Sequence, residues 1–343
     1  MKPKAPTRAR AARRALMCGA IAALACTSSV EHASLRPKSP DAVWEREYAR
    51  ARRFESGRMF EDAERHYERA LTAGRVFDLG DQRVLQTRLA LADLYSAQGR
   101  IDEAEQQYRE VIRRQRAAYG DTNEATADSL NRLGVLLADD GRASEALPLF
   151  EESLRLRARI YGPEHPSTVA TMQNLASAYH VVGRHAESEK LYLRTLEVYE
   201  GQGEEYLGVA SVTQNNLARL YRSMGRGSEA ESLHLHAIAL SIEINGPKNP
   251  NVAIFSRDLA NLLAEQERYR AAEARYKAAM PLFIASYGRT HEQVRQTLAD
   301  YAAMLRAEGR DEEAASVEAA VAEITATLER ASAAETEARS KSR

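Results

Sequence analysis

Apolar positions along the chain follow the helical period, and they do so twice in every repeating unit. Val169, Met172, Leu175, Ala176 and Tyr179 stand at i, +3, +6, +7 and +10, which is one face of an α-helix. Gly183-Arg184 then interrupts the pattern, and Ser188, Tyr192, Thr195, Leu196, Val198 and Tyr199 form a second stripe. Glycine suits the left-handed residue past a helix end, so each unit is predicted to be two helices joined by a tight turn.

The unit recurs every 42 residues. Gly-Arg appears at 99-100, 141-142, 183-184, 225-226 and 309-310, with Glu267-Arg268 in the intermediate slot. Five residues after each turn comes Ala104, Ala146, Ser188, Ala230, Ala272 or Ala314. Four further on stands Tyr108, Phe150, Tyr192, His234, Tyr276 or Glu318. An earlier copy, Ala63 and Tyr67, is one residue short of register. The small residue lets two helices approach, and the aromatic fills the space beside it. Between units, Tyr161-Gly162-Pro163-Glu164-His165-Pro166 parallels Asn245-Gly246-Pro247-Lys248-Asn249-Pro250. Pro166 and Pro250 suit a first helical position, and Asn249 suits an N-cap.

This pattern resembles the tetratricopeptide repeat (TPR) family, whose usual unit is ~34 residues. The longer unit, with its Tyr-Gly linkers, Asn-rich first helices and Gly-Arg turns, is similar to the kinesin-light-chain type. The stretch HPSTVATMQNLASAYHVVGRHAESEKLYLRTLEVYE carries the likeness best. The resemblance spans roughly residues 42–330. It implies an all-α TPR superhelix, a right-handed α-solenoid of about seven helix-turn-helix repeats over residues 42–332. It also implies a non-catalytic scaffold that takes an extended peptide or protein segment in a concave groove lined by first helices.

Polar residues that escape the apolar columns of those helices are the groove candidates: Asn131, Arg132, Gln173, Asn174, Asn215, Asn216, Arg219, Arg257 and Asn261. Asn and Gln both donate and accept, so they can pair with a peptide backbone of any sequence. Arg adds carboxylate recognition. The competing role for these Asn side chains is to bridge neighbouring repeats. In the resemblance, Asn174 and Asn216 match the groove Asn column best. Tyr95, Tyr179 and Tyr221 share one column and are expected to pack. Glu318 in the aromatic column marks a capping repeat with a polar outer face. Residues 333–343 are expected to be a frayed tail.

Composition and charge add a second theme. The 343 residues carry a net charge of -1, but residues 1–25 hold Lys2, Lys4, Arg8, Arg10, Arg13 and Arg14 and no acid. Removing those six leaves a body near −7, ill suited to nucleic acid or an anionic surface. The basic start precedes an uncharged run, Ala15–Ala25, too short to span a bilayer, and reads as an export signal over 1–25. Ala23-Leu24-Ala25-Cys26 resembles a bacterial lipobox, which implies lipidation at Cys26. Residues 26–41 then form a tether, and the place of work is the periplasm, on a membrane, with the outer membrane as the expected one. The same residues also fit a small-x-small peptidase site; Arg13-Arg14 weakly fits a twin-arginine route, and an acid-free start weakly fits a mitochondrial transit peptide. Both cysteines, Cys18 and Cys26, fall in this segment.

Residues with catalytic or metal-binding spacing do not assemble in the sequence. His291-Glu292-Gln293-Val294-Arg295 has Arg where a zinc-protease helix needs its second His. His234 and His236 are two apart on a helix and face apart. His180 and His185 flank a turn, where both are expected to be exposed. No enzyme activity, cofactor, metal, nucleic acid or small-molecule substrate is expected, and the partner is another protein. The alternative is an assembly part that self-associates or packs into a fixed envelope complex.

Overall fold

A computed structural model describes residues 39–342. The signal segment 1–25, Cys26 and the tether up to residue 38 lie outside the described residues. Within them the chain forms fourteen α-helices in seven helix-turn-helix pairs, with two short 3₁₀ turns and no strand. The helices are α1 (Pro40–Ser56), α2 (Phe60–Ala73), α3 (Gln82–Ala97), α4 (Ile101–Tyr119), α5 (Glu124–Asp139), α6 (Ala143–Tyr161) and α7 (Pro166–Val181). They continue as α8 (His185–Gln202), α9 (Leu207–Ser223), α10 (Gly227–Asn245), α11 (Pro250–Glu265), α12 (Tyr269–Tyr287), α13 (Glu292–Ala307) and α14 (Asp311–Ser342). Odd-numbered helices are the first of each pair and even-numbered helices the second. None is long and apolar enough to cross a membrane among the described residues.

The helices divide into two compact units, one ending at Thr87 and one beginning at Arg88. In the first, Trp44 stacks on Tyr48 with ring centroids 4.9 Å apart and donates from Nε1 to Thr87 at 3.0 Å. The Glu47 carboxylate is buried and held by His66 at 2.7 Å. In the second, an apolar core runs from Val169 through Tyr192, Leu217, Phe255 and Tyr276 to Leu305, so neighbouring pairs share one core. That is the reason a single pair cannot stand alone.

The caps follow the sequence closely. Asn249 accepts from the Asn251 amide at 2.9 Å and Pro250 opens α11. Pro166 likewise opens α7. Four further caps are decided by the structure: Ser39 and Asn123 accept from the Ala42 and Ala125 amides, and His165 and His291 accept through Nδ1 from Ser167 and Gln293, each at 3.2 Å. His291, which begins the false zinc motif, is therefore a helix cap.

The turns explain both irregular units. Gly99, Gly141, Gly183, Gly225 and Gly309 all have positive φ, and Glu267 takes the same left-handed conformation at φ 60° where the sixth turn lacks glycine. In the first pair the left-handed residue is Arg58, at φ 57°, one place after Gly57. The Met59 amide then donates to the Phe54 carbonyl as the Arg100 amide does to Tyr95. The turn of that pair is thus 41 residues before the next, and the one-residue slip of Ala63 and Tyr67 follows from it.

At the far end α14 continues to Ser342, so helix runs through 333–342 where the sequence predicted fraying. Ala, Glu, Arg and Lys there favour helix, and neither Gly nor Pro interrupts them. Glu318 pairs with Arg306 at 2.7 Å, in keeping with a polar outer face on the last pair.

Candidate protein-interaction surface

Each first helix is covered by its own second helix and by its neighbours, which leaves one narrow polar strip. On α9 the strip carries Asn216 and Arg219, and on α11 Arg257 and Asn261. Four first helices, α7, α9, α11 and α13, together enclose a recess of about 410 Å³. It is lined by His180, Arg219, Arg222, Ser223, Arg257, Asp258, Asn261, Glu265, Gln296 and Asp300. Three sequence candidates, Arg219, Arg257 and Asn261, meet there.

The floor of the recess is a buried polar chain. Asn215 is only 2% exposed. Its Nδ2 donates to Asp258 Oδ2 at 2.8 Å, and its Oδ1 lies 2.8 Å from His234 Nδ1. Because the amide group is committed to a carboxylate, Oδ1 must face the ring, so His234 carries its proton on Nδ1. His234 Nε2 is then a bare acceptor, buried and without a partner among the described residues. Burial pushes His234 down to about 4, against the opposing pull of Asp258. Asn215 therefore holds α9 to α10 and α11 and is not a groove residue. Sequence periodicity places it beside Asn216 but does not show that its neighbours consume both ends of its amide.

Above this floor the cations are unequally satisfied. Arg257 donates to Gln293 at 2.7 Å and lies 3.6 Å from Asp258. Arg222 pairs with Glu265 at 3.2 Å. The Arg219 side chain is 54% exposed, and its nearest carboxylate, Asp258, is 4.0 Å away. The aromatic column explains the difference. Tyr108 donates to Asp93, and Tyr276 to Asn261, each 15 residues earlier and each at 2.5 Å. Arg219 occupies the equivalent place one repeat before Asn261, but the column there holds His234, which turns to Asn215 instead.

His180 is half-buried and lines the recess, not exposed as its place near a turn suggested. Burial, together with Arg219, His185 and Arg222, pushes it down to about 4. It is neutral at pH 7, so the fixed cations are Arg219, Arg222 and Arg257. Asp258 and Asp300, also missed by the sequence, stand 42 residues apart in the one column that holds Arg132, Asn174 and Asn216 in preceding repeats. Asp300 accepts from Gln296 at 2.8 Å and from Asn261 at 3.2 Å.

The remaining candidates lie on earlier helices. Asn174 donates to Asn131 at 3.1 Å, joining α7 to α5. Arg132 donates to Asp128 at 2.9 Å and to Asp93 at 3.2 Å. Gln173 and Asn216 are half-buried. Tyr95, Tyr179 and Tyr221 are buried packing residues, each with an Arg guanidinium 3.6–4.1 Å from its ring centroid. Among the described residues no three His, Cys, Asp or Glu side chains gather to hold a metal ion.

No curated protein matches the chain in sequence. Solved structures do match in fold. RapI in its apo form aligns with TM-score 0.65 and 12% identity, over 84% of this chain and 99% of RapI. The apo quorum sensor NprR from B. thuringiensis aligns with TM-score 0.63 and 18% identity, over 91% of this chain and 85% of NprR. The repeats assigned to a kinesin light chain of Podosopora anserina align with TM-score 0.50 and 22% identity, over 60% of this chain and 98% of theirs. The tetratricopeptide repeat model matches residues 42–117, 125–201, 209–285 and 254–325. Proteins of this kind typically mediate protein–protein interactions. Seven helix pairs on a 42-residue period, with the model matched along most of the sequence, make this chain a member of the tetratricopeptide repeat family.

Proposed function

We propose that the chain is a protein-interaction scaffold that holds an extended, carboxylate-bearing segment of a partner protein across α7, α9, α11 and α13. Arg219 carries this reading: it is a half-exposed guanidinium in a polar recess, with no hydrogen bond among the described residues. A guanidinium presents paired N–H donors that match a carboxylate. Asn216, one helical turn before Arg219 on α9, suits a peptide backbone, whereas the Asn261 amide is already held by Tyr276 and Asp300. Asn174, Gln173, Asn131 and Arg132 would extend the track toward α5.

Screening of an acidic and a charge-neutral peptide library on the purified protein tests this. The wild type retains acidic segments, and Arg219→Ala loses most of that preference with unchanged helicity. Equal retention of both libraries by the wild type refutes the assignment.

The scaffold is further proposed to be exported and membrane-tethered through Cys26, on the strength of the basic start, the uncharged run and the Ala-Leu-Ala-Cys sequence. More than one acyl chain gives stable anchorage, at roughly 0.8 kcal/mol per buried CH₂. Cys26→Ser then moves the protein from the membrane fraction to the soluble one, and unchanged fractionation disproves the tether.

A further inference from the structure

Comparing equivalent positions of the second helices singles out α10. Its outward stripe is Leu235, Ala239 and Ile242. The position of Leu235 holds Arg109, Glu151 and Lys277 in α4, α6 and α12. That of Ala239 holds Arg113, Arg155 and Glu197 in α4, α6 and α8, and that of Ile242 holds Arg116 and Glu200 in α4 and α8. Charged side chains are the ordinary use of a solvated helix face, and α10 has exchanged all three at once. Leu235 is 42% exposed and Ile242 39%, and Leu193, at the equivalent place on α8, widens the patch. This face belongs to the second helices and is separate from the recess.

We propose that this stripe is a self-association surface on which α10 packs antiparallel against α10 of a second copy. The pattern is self-complementary, as a two-fold contact requires. Turning the helix end for end about Ala239 sets Leu235 beside the second copy's Ile242, within one residue's rise of about 1.5 Å. The small Ala239 at the axis lets the helices approach closely. The same operation brings His236 within one residue's rise of Glu243 of the second copy, on the same flank. Both lie on the same flank of the stripe and both are exposed, and neither makes a hydrogen bond or ion pair among the described residues. One short helix face gives a contact at the low end of interface sizes, so the dimer is weak and concentration-dependent.

The test uses the full chain with Cys18 and Cys26 changed to Ser, which leaves no other thiol. Ala239→Cys on this background forms a disulfide-linked dimer under mild oxidation, because the axis places the two residues side by side. Glu197→Cys, at the equivalent place on α8, does not. His236→Glu sets two acids together and suppresses the Ala239→Cys dimer, and adding Glu243→Lys restores it. Light scattering shows a mass rising toward twice the monomer by roughly 100 µM, as suits a small interface, and Leu235→Glu holds it at one. Circular dichroism of each variant stays that of the shared background, since Glu197, Leu235, His236, Ala239 and Glu243 are all exposed. A single-chain mass throughout that range, or equal crosslinking at 197 and 239, overturns the proposal.

Discussion

Arg226 donates from Nη1 to Glu189 Oε1 at 2.7 Å, across 37 residues and from one helix pair to the pair before it. The Glu189 carboxylate also accepts from the Tyr221 hydroxyl at 2.9 Å, and the Arg226 guanidinium lies 3.6 Å from the Tyr221 ring centroid. The same 37-residue step joins Arg142 to Glu105, Arg268 to Glu231 and Arg310 to Glu273, at 2.6–2.8 Å. Arg184 is the exception, with Leu147 at that step and Glu151 3.9 Å away, but at 142, 226, 268 and 310 the turn Arg has a structural task. It returns to the second helix of the preceding pair and fixes the stacking of one unit on the next.

Glu189→Ala removes the single acceptor oxygen of two hydrogen bonds, from Arg226 and Tyr221. Stability falls by about 1–2 kcal/mol, since charge-assisted hydrogen bonds exceed the neutral kind. The midpoint of urea unfolding followed by circular dichroism reports it, and a midpoint equal to the wild type's removes the clamp from the account.

Acid weakens the protein in two successive windows. His234 is held down to about 4 by burial, below its unfolded value near 6.5, so the unfolded chain binds the extra proton first. Stability from this site is complete above pH 6.5 and is lost as pH falls toward 4, by at most about 3 kcal/mol. Glu189 is lowered by the Arg226 hydrogen bond, and Glu273 is lowered to about 2 by Arg310 and Lys277. Their contribution is present above the usual carboxylate range and is lost below it. Thermal melts at pH 7, 5.5 and 4 fall stepwise. His180, pushed down to about 4 mainly by burial, adds to the first step, so His234→Gln reduces that step without abolishing it; a profile in that variant as steep as the wild type's shows that His234 is not one of its sources.

Glu267→Gly stabilises the sixth turn. A residue with a Cβ in the left-handed region costs roughly 1–2 kcal/mol, and glycine does not bear that cost. The other in-register turns already hold glycine at positive φ. The melting temperature rises in the variant, and a fall shows that the Glu267 side chain contributes more than its backbone strain.

Gly134→Ala has the opposite sign although it is a helix-favouring change. A Cβ at 134 would stand 2.6 Å from the Phe150 ring. The column holds Ala92, Ala176, Ala218, Ala260 and Ala302 elsewhere, so only this pair has traded the methyl for a close aromatic. Overpacking of about 1–3 kcal/mol outweighs the helix-propensity gain. Calorimetry shows a lower melting temperature, recovered in part by Phe150→Leu. A melting temperature above the wild type's means the ring has room to move.

The helix pairs, their turns and the Asn249 cap were legible in the sequence because each depends on local spacing. An apolar stripe defines a face within one helix, and Gly183 or Pro250 ends or begins it without help from distant residues. The candidate recess was legible only in part. Arg219, Arg257 and Asn261 were rightly placed on first helices, and the recess that unites them joins residues some 40 or 80 positions apart.

What the sequence by itself determined is the 42-residue unit, because periodicity and turn residues are properties of neighbours along the chain. What only the tertiary structure decided is the use of each polar side chain. Asn215 and Asn216 are adjacent and chemically identical, but about 100° of helical rotation turns the first into the stack and leaves the second on the strip. Asp258 and His234 then consume the Asn215 amide, and Arg219 is left with no hydrogen bond and only the 4.0 Å approach to Asp258. The spacing within a helix sets the direction in which a residue points, and the packing of its neighbours sets what it meets there.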